Sequence, residues 1–413
     1  MIDKACDAPA DTPAARAMGP VEFVAFVALS LVVGAVAVDM VLPALLPIGA
    51  DFKLSDNQSQ TVIAVFLLGV GFPQLVLGPL SDCYGRRPVL VAGLLIFLVG
   101  SMLAAVAPDF RTLLAARLLQ GVGAAAQRVV TFSIVRDHYS GPQMTRVMSL
   151  AMSVLLLEPI IAPMLGQLIL LLGSWRWLMG VVGLGAAGML CWVWLRLEES
   201  LPGGPRGTIS LRVVLADYRS VVATREAIAG MLVSGLVLGA HLGFLSSAQA
   251  IFQITYSAGL RFTLLLAGVS LAMSAASLLN ARLARRMGGG ELIRRSLLGV
   301  IAVNAAGFAA AFAGVVPLPL PLFLAVQACN MFAFGLLLPN LTAMSMNRLG
   351  SIAGTASSMY GFVSITIGAA LAAVIGQCFD GSVRPLLAAY VLLALAAFAT
   401  LHLAWPRASL PKA

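Results

Sequence analysis

The sequence predicts an all-α integral membrane protein with twelve transmembrane helices, arranged as two pseudo-symmetric six-helix bundles. Three observations support this prediction. First, 60% of the 413 residues are hydrophobic and only 10% are charged, whereas about a quarter of the residues in soluble domains are charged. Second, twelve apolar runs are each long enough to cross a hydrocarbon core of about 30 Å as a helix. Third, these runs do not alternate in polarity, as the strands of a membrane barrel would.

The twelve predicted spans divide into two groups of six. The longest interior polar stretch, residues 198–226, contains the sequence Pro-Gly-Gly-Pro and is predicted to be a linker. The predicted spans cover approximately residues 21–48, 59–80, 89–107, 111–135, 144–171, 176–196, 227–253, 260–284, 291–315, 319–345, 352–379 and 384–404. The predicted domains are a tail (1–20), an N-terminal bundle (21–197), the linker (198–226), a C-terminal bundle (227–405) and a second tail (406–413).

The two bundles look like a repeat. A short basic loop follows the second span of each half, at 82–87 and at 282–286. Parallel six-span repeats are one way in which secondary transporters are built, with substrate bound near the membrane midplane between the halves. We therefore expect the second bundle to repeat the first.

The distribution of cations predicts the orientation in the membrane. If the N-terminus is inside, the inner segments hold 19 of the 26 Lys and Arg residues, the outer segments hold five, and two lie within spans. This asymmetry follows the positive-inside rule, so the net charge of +9 indicates topology and not a nucleic-acid partner. Both termini are predicted to be cytoplasmic.

Energy from ATP is not expected. The chain lacks a phosphate-binding loop of the GxxxxGK[ST] type, and none of its three lysines follows a glycine loop. No loop is long enough to form a catalytic domain, so an enzyme is not predicted, and neither a cofactor nor a metal site is expected. Transport by this chain would have to draw on an ion gradient.

Four Asp, Glu or Arg side chains lie well inside predicted spans, away from the span ends: Asp39, Arg117, Arg128 and Glu158. Such groups cost at least about 2.5–3.5 kcal/mol near the bilayer centre, so they persist mainly where they pair or face a cavity. At about 1.5 Å per residue, Asp39 lies about 27 Å and Arg117 about 28 Å from the inner boundary, with Glu158 at about 21 Å. We therefore predict that Arg117 pairs with Asp39, and reaches Glu158 as well, in a proton-coupling site.

Two stretches resemble the major facilitator superfamily and its drug:proton antiporters. Residues 78–88 read GPLSDCYGRRP and match the loop between the second and third spans, while residues 117–125 read RLLQGVGAA and resemble the motif of the fourth span. The sequences DMVLP at 39–43, WRW at 175–177 and PN at 339–340 are similar to the bicyclomycin and chloramphenicol exporter (Bcr/CflA) branch.

The resemblance implies roles for these motifs. In the family the loop cluster latches the cytoplasmic side in the outward-facing state, and the arginine of the fourth span and the acid of the first span take part in proton transfer. The latch role carries over to Gly78, Asp82, Gly85, Arg86 and Arg87, and the proton role carries over to Arg117 and Asp39.

The fifth span departs from the family pattern. Prolines at 159 and 163 should kink this helix, but Glu158 is an acid where the family is apolar. It is either a second proton site or the counter-charge for a cationic drug. The candidates for the substrate cavity are Arg128, His241, Phe244, Asn330, Phe334 and Tyr360.

The expected function is proton-coupled export of small amphiphilic, drug-like compounds by alternating access, in the inner membrane of a bacterium. The expected partners are the drug-like substrate, protons and the lipid bilayer, and a single chain is expected to be the working unit. Two alternatives stay open from sequence: an uptake symporter for a metabolite with the same fold, and a membrane receptor that transports nothing.

Overall fold

The computed structural model describes residues 18–139, 141–201, 211–314, 317–347, 349 and 352–404, and within these ranges the regular structure is helical. The predicted tails and the Pro-Gly-Gly-Pro sequence of the linker lie outside the described residues, apart from residues 18–20.

The N-terminal half contains α1 to α10 and the C-terminal half contains α12 to α17, with α11 between them. The helices are α1 Pro20–Asp39, α2 Leu45–Phe52, α3 Asp56–Ser59, α4 Thr61–Gly71, α5 Gln74–Tyr84, α6 Arg86–Ala105, α7 Phe110–His138, α8 Gly141–Leu155, α9 Glu158–Leu172, α10 Trp175–Arg196, α11 Leu211–Ala223, α12 Arg225–Ala250, α13 Phe262–Met287, α14 Gly289–Phe312, α15 Leu320–Met346, α16 Ala353–Gln377 and α17 Arg384–Ala404. Short 3₁₀ turns cover Leu42–Ala44 and Gly259–Arg261, and a π-helix covers Ile251–Thr255.

Membrane spans account for most of these helices. Within the described residues, eleven helical segments are long and apolar enough to cross a membrane, and the bent pair Asn57–Gly71 and Gln74–Tyr84 makes twelve if it is one span. Large apolar side chains such as Leu278, Phe312 and Leu392 are exposed on the outside of the bundle, as lipid-facing residues should be. The all-α, multi-pass prediction is confirmed.

The first span is one segment over Pro20–Phe52, in agreement with the predicted run over 21–48, but its α-helical hydrogen bonding is broken in the middle. Helix α1 ends at Asp39 and the chain continues through the 3₁₀ turn into α2. Pro43 explains the break, because its ring clashes with the carbonyl of the residue four positions earlier, which is Asp39. Asp39 is therefore the last residue of a helix in the interior of the protein.

The fifth span, Arg146–Leu172, contains a break of the same kind next to its first proline. Helix α8 ends at Leu155 and α9 begins at Glu158. Pro159 stands four residues after Leu155, so it removes the hydrogen bond that would continue α8. Glu158 is the first residue of the helix that follows the break.

The two faces of the bundle differ. We call the face with the α5–α6 connection and α11 the basic face, and the other the opposite face. Hydrogen bonds join the two halves on the opposite face, where the side-chain amides of Asn57 and Gln377 donate to each other's backbone carbonyls at 2.9 and 2.6 Å. There Gln249 accepts from the amide of Leu46 at 3.0 Å and donates to the carbonyl of Pro43 at 2.6 Å.

The two halves repeat the same turn on the basic face. Gly85 precedes α6 with φ 98°, and Gly288 precedes α14 with φ 78°. Both values lie in the region that glycine adopts without steric cost. The repeat that the sequence predicted is therefore visible in a backbone detail as well as in the number of spans.

The predicted linker contains a helix. Tyr218 of α11 donates its hydroxyl proton to the carbonyl of Leu75 in the N-terminal half, and burial raises the pKa of Tyr218. The linker therefore packs against the basic face. The domain boundaries themselves stay predictions.

Two glycines bring α4 and α7 into backbone contact. A Cβ on Gly121 would lie 2.2 Å from the carbonyl oxygen of Phe66, and one on Gly69 would lie 2.3 Å from that of Leu118. Real Cβ atoms do not approach backbone so closely, so the two helices would have to separate. Small residues at such crossings are how membrane helices pack closely.

We expect Gly121→Ala to destabilise the N-terminal bundle by about 1–3 kcal/mol through overpacking. Gly180→Ala is the matched control, because a Cβ there meets nothing within 4 Å. Thermal unfolding of the purified protein in detergent should show a lower melting temperature for Gly121→Ala only. Equal melting temperatures for both variants would contradict the packing described here.

Candidate functional site

The two acids of the N-terminal spans meet each other in the interior. The side chains of Asp39 and Glu158 are each 7% exposed, and their carboxyl groups lie within hydrogen-bonding reach of each other. The remaining oxygen Oε1 of Glu158 has no hydrogen-bonding partner among the described residues. Two ionised carboxylates offer acceptors only, so a hydrogen bond between them requires one proton. The pair therefore forms a site suited to holding a single shared proton.

Close packing holds the two helix breaks together. A Cβ on Gly166 of α9 would lie 2.2 Å from the carbonyl oxygen of Met40. Gly166 thus lets α9 lie directly against the break in the first span.

The predicted ion pair between Arg117 and Asp39 is wrong. The Arg117 side chain is fully buried and forms no ion pair in the described part of the chain. Its guanidinium donates to Gln120 Oε1 at 2.6 Å, to the carbonyl of Ala37 at 2.9 Å and to that of Val62 at 3.4 Å. It also lies 4.5 Å from the centroid of the Phe66 ring.

Arg117 nevertheless lies near the acid pair. It donates a hydrogen bond to the carbonyl of Ala37, which stands two residues before Asp39 in the last turn of α1. The cation is therefore held by backbone groups at the edge of the site. Since a guanidinium has five donors, a charged carboxylate in its neighbourhood could compete with these neutral acceptors.

The acid pair is also linked to the contact between the halves. Asp39 stands four residues before Pro43, whose carbonyl accepts the hydrogen bond from Gln249 of α12. The 3₁₀ turn Leu42–Ala44 lies between the acid and this contact. Any movement of the break would thus be transmitted to the closed opposite face.

The predicted latch residues cluster on the basic face. Arg86 is 3% exposed and binds Asp82 at 2.6 Å, Asp137 at 2.8 Å and the hydroxyl of Ser81 at 2.6 Å. Arg87 donates to the carbonyl of Trp194 at 2.8 Å. These bonds lie within the N-terminal half.

Glu199, which the sequence analysis overlooked, completes the cluster. Its carboxylate accepts from the backbone amides of Arg86 at 2.8 Å and Arg87 at 3.2 Å, at the start of α6. A Cβ on Gly85 would lie 2.4 Å from Glu199 Oε2, so glycine leaves room for the carboxylate. An acid at a helix N-terminus is a favourable partner for the amides there.

Gly78 is the latch residue that faces the C-terminal half. A Cβ on Gly78 would lie 2.7 Å from the hydroxyl of Ser358 in α16. The predicted latch thus consists of a glycine contact between the halves and an arginine cluster beside it. Its predicted role in the outward-facing state stays a prediction.

A cavity of about 670 Å³ lies between the halves on the side of the basic face. Helices α5 and α7 line one wall, α15 and α16 line the other, and α11 contributes at the rim. Of the predicted cavity residues, Arg128 and Tyr360 both line this cavity. They lie close enough to interact electrostatically. The hydroxyl of Tyr360 is hydrogen-bonded to Thr342 at 2.8 Å and to Ser234 at 2.7 Å.

The other predicted cavity residues do not line the large cavity. His241, Asn330 and Phe334 line a small cavity of about 30 Å³ inside the C-terminal half. The rings of His241 and Phe334 stack at a centroid distance of 3.9 Å, and Asn330 exchanges hydrogen bonds with Asn304. Phe244 is fully buried in the core. Packing within one bundle accounts for these four side chains.

Polar residues near the outer ends of spans were also overlooked. Gln249 and Gln377 join the halves, and Asp51 binds Trp175 at 2.7 Å and Arg176 at 2.9 Å, which explains the WRW motif. Gln249 could have been found from the sequence, because a polar amide side chain inside an apolar run indicates a hydrogen-bonding role.

Comparison with known proteins defines the class. Residues 27–373 match the Major Facilitator Superfamily, and the chain belongs to this family of membrane transporters. Two solved structures share the fold. One is a partially occluded, inward-open form of the xylose transporter XylE from E. coli, with a TM-score of 0.72 and 12% sequence identity, covering 92% of this chain and 96% of that one. The other is the human organic anion transporter MFSD10, with a TM-score of 0.67 and 18% sequence identity, covering 92% of this chain and 99% of that one. The predicted family and fold are confirmed.

Similar proteins indicate the branch of the family that this chain resembles. The chain is 26% identical over 361 residues to the bicyclomycin resistance protein homolog of Haemophilus influenzae, covering 85% of this chain and 87% of that protein. It is 28% identical over 350 residues to the transporter YdgK of Bacillus subtilis, covering 84% and 86%. Over 166 residues it is 36% identical to the multidrug resistance protein MdtL of Citrobacter koseri, covering 40% and 42%. These relatives support the predicted branch.

We expect Arg117→Lys to lower the stability of the N-terminal bundle by about 2 kcal/mol, because a compact ammonium cannot replace the planar fork that reaches three acceptors. Arg111→Lys on the exposed first turn of α7 is the control. Thermal unfolding in detergent measures the difference. An unchanged melting temperature for Arg117→Lys would show that a point charge is sufficient at this position.

Proposed function

We propose that this protein exports small amphiphilic compounds in exchange for protons across the bacterial cytoplasmic membrane, by rocking of its two halves. The observation that carries the proposal is the buried pair of Asp39 and Glu158 at two helix breaks. A buried acid pair without a bound cation is a proton-binding group, and its break leads directly to the contact between Pro43 and Gln249.

The exchange cycle follows from these contacts. With one proton shared, the two carboxyl groups attract each other and the opposite face is closed by the bonds of Gln249 and Gln377. Loss of the proton leaves two adjacent negative charges in a poorly solvated site, which repel. Arg117 lies beside this site, through its bond to the carbonyl of Ala37. We infer that α1 and α9 separate at this step and that the guanidinium moves toward the carboxylates.

The cavity supports access to the site from the cytoplasm. It lies beside the basic face, while the bonds between the halves described for the opposite face close the other side. The positive-inside rule makes the basic face cytoplasmic. Compounds would therefore enter the cavity from the cytoplasm, and the resistance-related names of the relatives support export of drug-like compounds.

Asp39→Asn and Glu158→Gln should each abolish drug accumulation driven by a pH gradient in everted vesicles, because either amide removes the proton-sharing carboxyl pair. Both variants should still exchange drug across proteoliposomes without a gradient, since the cavity is untouched. Glu198→Gln, an exposed acid beyond the end of α10, is the control and should accumulate drug normally. Normal accumulation by Asp39→Asn would refute the proton role of the pair.

The orientation has its own test. Single cysteines introduced at Arg285 on the basic face and at Lys53 on the opposite face should differ in labelling by a membrane-impermeant thiol reagent, in a background without native cysteines. Intact cells should label position 53 and everted vesicles should label position 285. The reverse pattern would place the basic face outside and would exclude export by the cycle described.

A further inference from the structure

We propose that the cavity between the halves binds amphiphiles with one negative charge, with their anionic group on Arg128 and their apolar part against Phe132 and Met346. This inference rests on the proposed function and specifies the class of compound. The inference is based on the charged side chains that line the cavity. Neither the fold nor the names of the relatives specify the charge of the bound compound.

Arg128 is the innermost charge of the cavity. It lies ten residues before the end of α7 at His138, or about 15 Å along the helix axis. Because the 29-residue helix α7 is longer than a hydrocarbon core of about 30 Å, Arg128 lies inside the core, on the side of the basic face. The acids that line the same cavity, Asp82 and Asp217, lie near the end of α5 and on α11, at the rim.

Arg128 has no internal counter-charge. It is exposed to the cavity and forms no ion pair among the described residues. A cation at the middle of a membrane is costly unless an anion or water faces it. Its planar fork of donors matches a carboxylate, a sulfonate or a phosphate. The hydroxyl group of Ser358 in the same cavity wall adds a hydrogen-bond donor for such an anion.

The rest of the wall suits an apolar body. Phe132 follows Arg128 by four residues on α7, so the two side chains share one face of the helix. Met144, Met346 and Val214 line the cavity as well. Flexible thioether and aromatic groups accept apolar shapes of different outline. A compound with an anionic head and a flat apolar tail would contact both kinds of wall at once.

A cationic drug finds no free acid at this depth. Asp82 is bound by Arg86, and Asp217 lies at the rim near the hydroxyl of Thr355, at 3.4 Å. Glu158 is not a counter-charge in this cavity: it faces Asp39 and does not line the wall. Of the two roles that the sequence left open for Glu158, the geometry favours the proton site.

Three probes with one aromatic body test the charge preference: 2-naphthoxyacetate, its neutral amide, and 2-(2-naphthoxy)ethylammonium. Equilibrium binding to the full-length protein in phosphatidylcholine nanodiscs should be about tenfold or more tighter for the anion than for the amide, since a charge-assisted hydrogen bond replaces a neutral one. The ammonium should bind more weakly than the amide. Equal affinities, or a preference for the cation, would overturn the proposal.

Substitutions test whether Arg128 is the group that makes the anionic probe bind more tightly. Arg128→Gln should remove the tenfold advantage of the anion and leave the affinity for the amide within about twofold. Arg128→Lys should keep part of it, because it retains the charge but not the fork. Arg285→Gln, which removes an exposed arginine of the basic face outside the cavity, should bind all three probes as the wild type does. An unchanged preference in Arg128→Gln would assign the anion to another group.

The outcome is separable from that of the proposed function. If the wild type accumulates the amide or the ammonium with a pH gradient but shows no preference for the anion, export stands and the anion site falls. If phosphatidylglycerol in the nanodisc displaces 2-naphthoxyacetate completely, the site takes a lipid head group and the proposal also falls. If the anion binds but none of the three probes moves, the site stands and proton-driven export of this class falls.

Discussion

The cost of charge in hydrocarbon is the constraint on which this structure depends. An ionised side chain at the centre of a bilayer is stable only when it is paired, solvated or neutralised. The protein meets this constraint differently at three sites. The carboxyl groups of Asp39 and Glu158 lie against each other. Arg117 binds backbone carbonyls and an aromatic ring, and Arg128 faces a cavity. Only the first of these can change its charge by binding a proton.

Helix breaks connect that charge to the rest of the molecule. Pro43 and Pro159 interrupt two spans next to the two acids. The carboxyl groups therefore lie where the regular hydrogen bonding of the α-helix is interrupted. The first break continues into the bond between Pro43 and Gln249, which joins the halves. The acids lie in the N-terminal half, and the C-terminal half contributes amides and hydroxyls to the contacts. In the proposed cycle, one half binds the proton and the other half responds through hydrogen bonds.

The sequence predicted the spans, the repeat and a disturbance of the fifth span at its prolines, because length, apolar composition and proline act locally. It placed Asp39 and Arg117 at one depth but wrongly paired them. Rise per residue gives height along a helix and not the direction in which a side chain points. For the same reason, His241, Phe244, Asn330 and Phe334 were assigned to a substrate cavity when their side chains pack inside one bundle. Glu199 was overlooked because its partner is a pair of backbone amides, which a sequence does not display.

The central claim is that one proton is shared between Asp39 and Glu158. Infrared difference spectroscopy of the purified protein measures it directly, since a protonated carboxyl group has a carbonyl stretch that an ionised one lacks. The account predicts a single such band that titrates as one group in the wild type, changes its frequency in Asp39→Asn and in Glu158→Gln, and disappears in the double variant. A band with unchanged frequency and titration in either single variant, or two bands that titrate independently in the wild type, would contradict a shared proton.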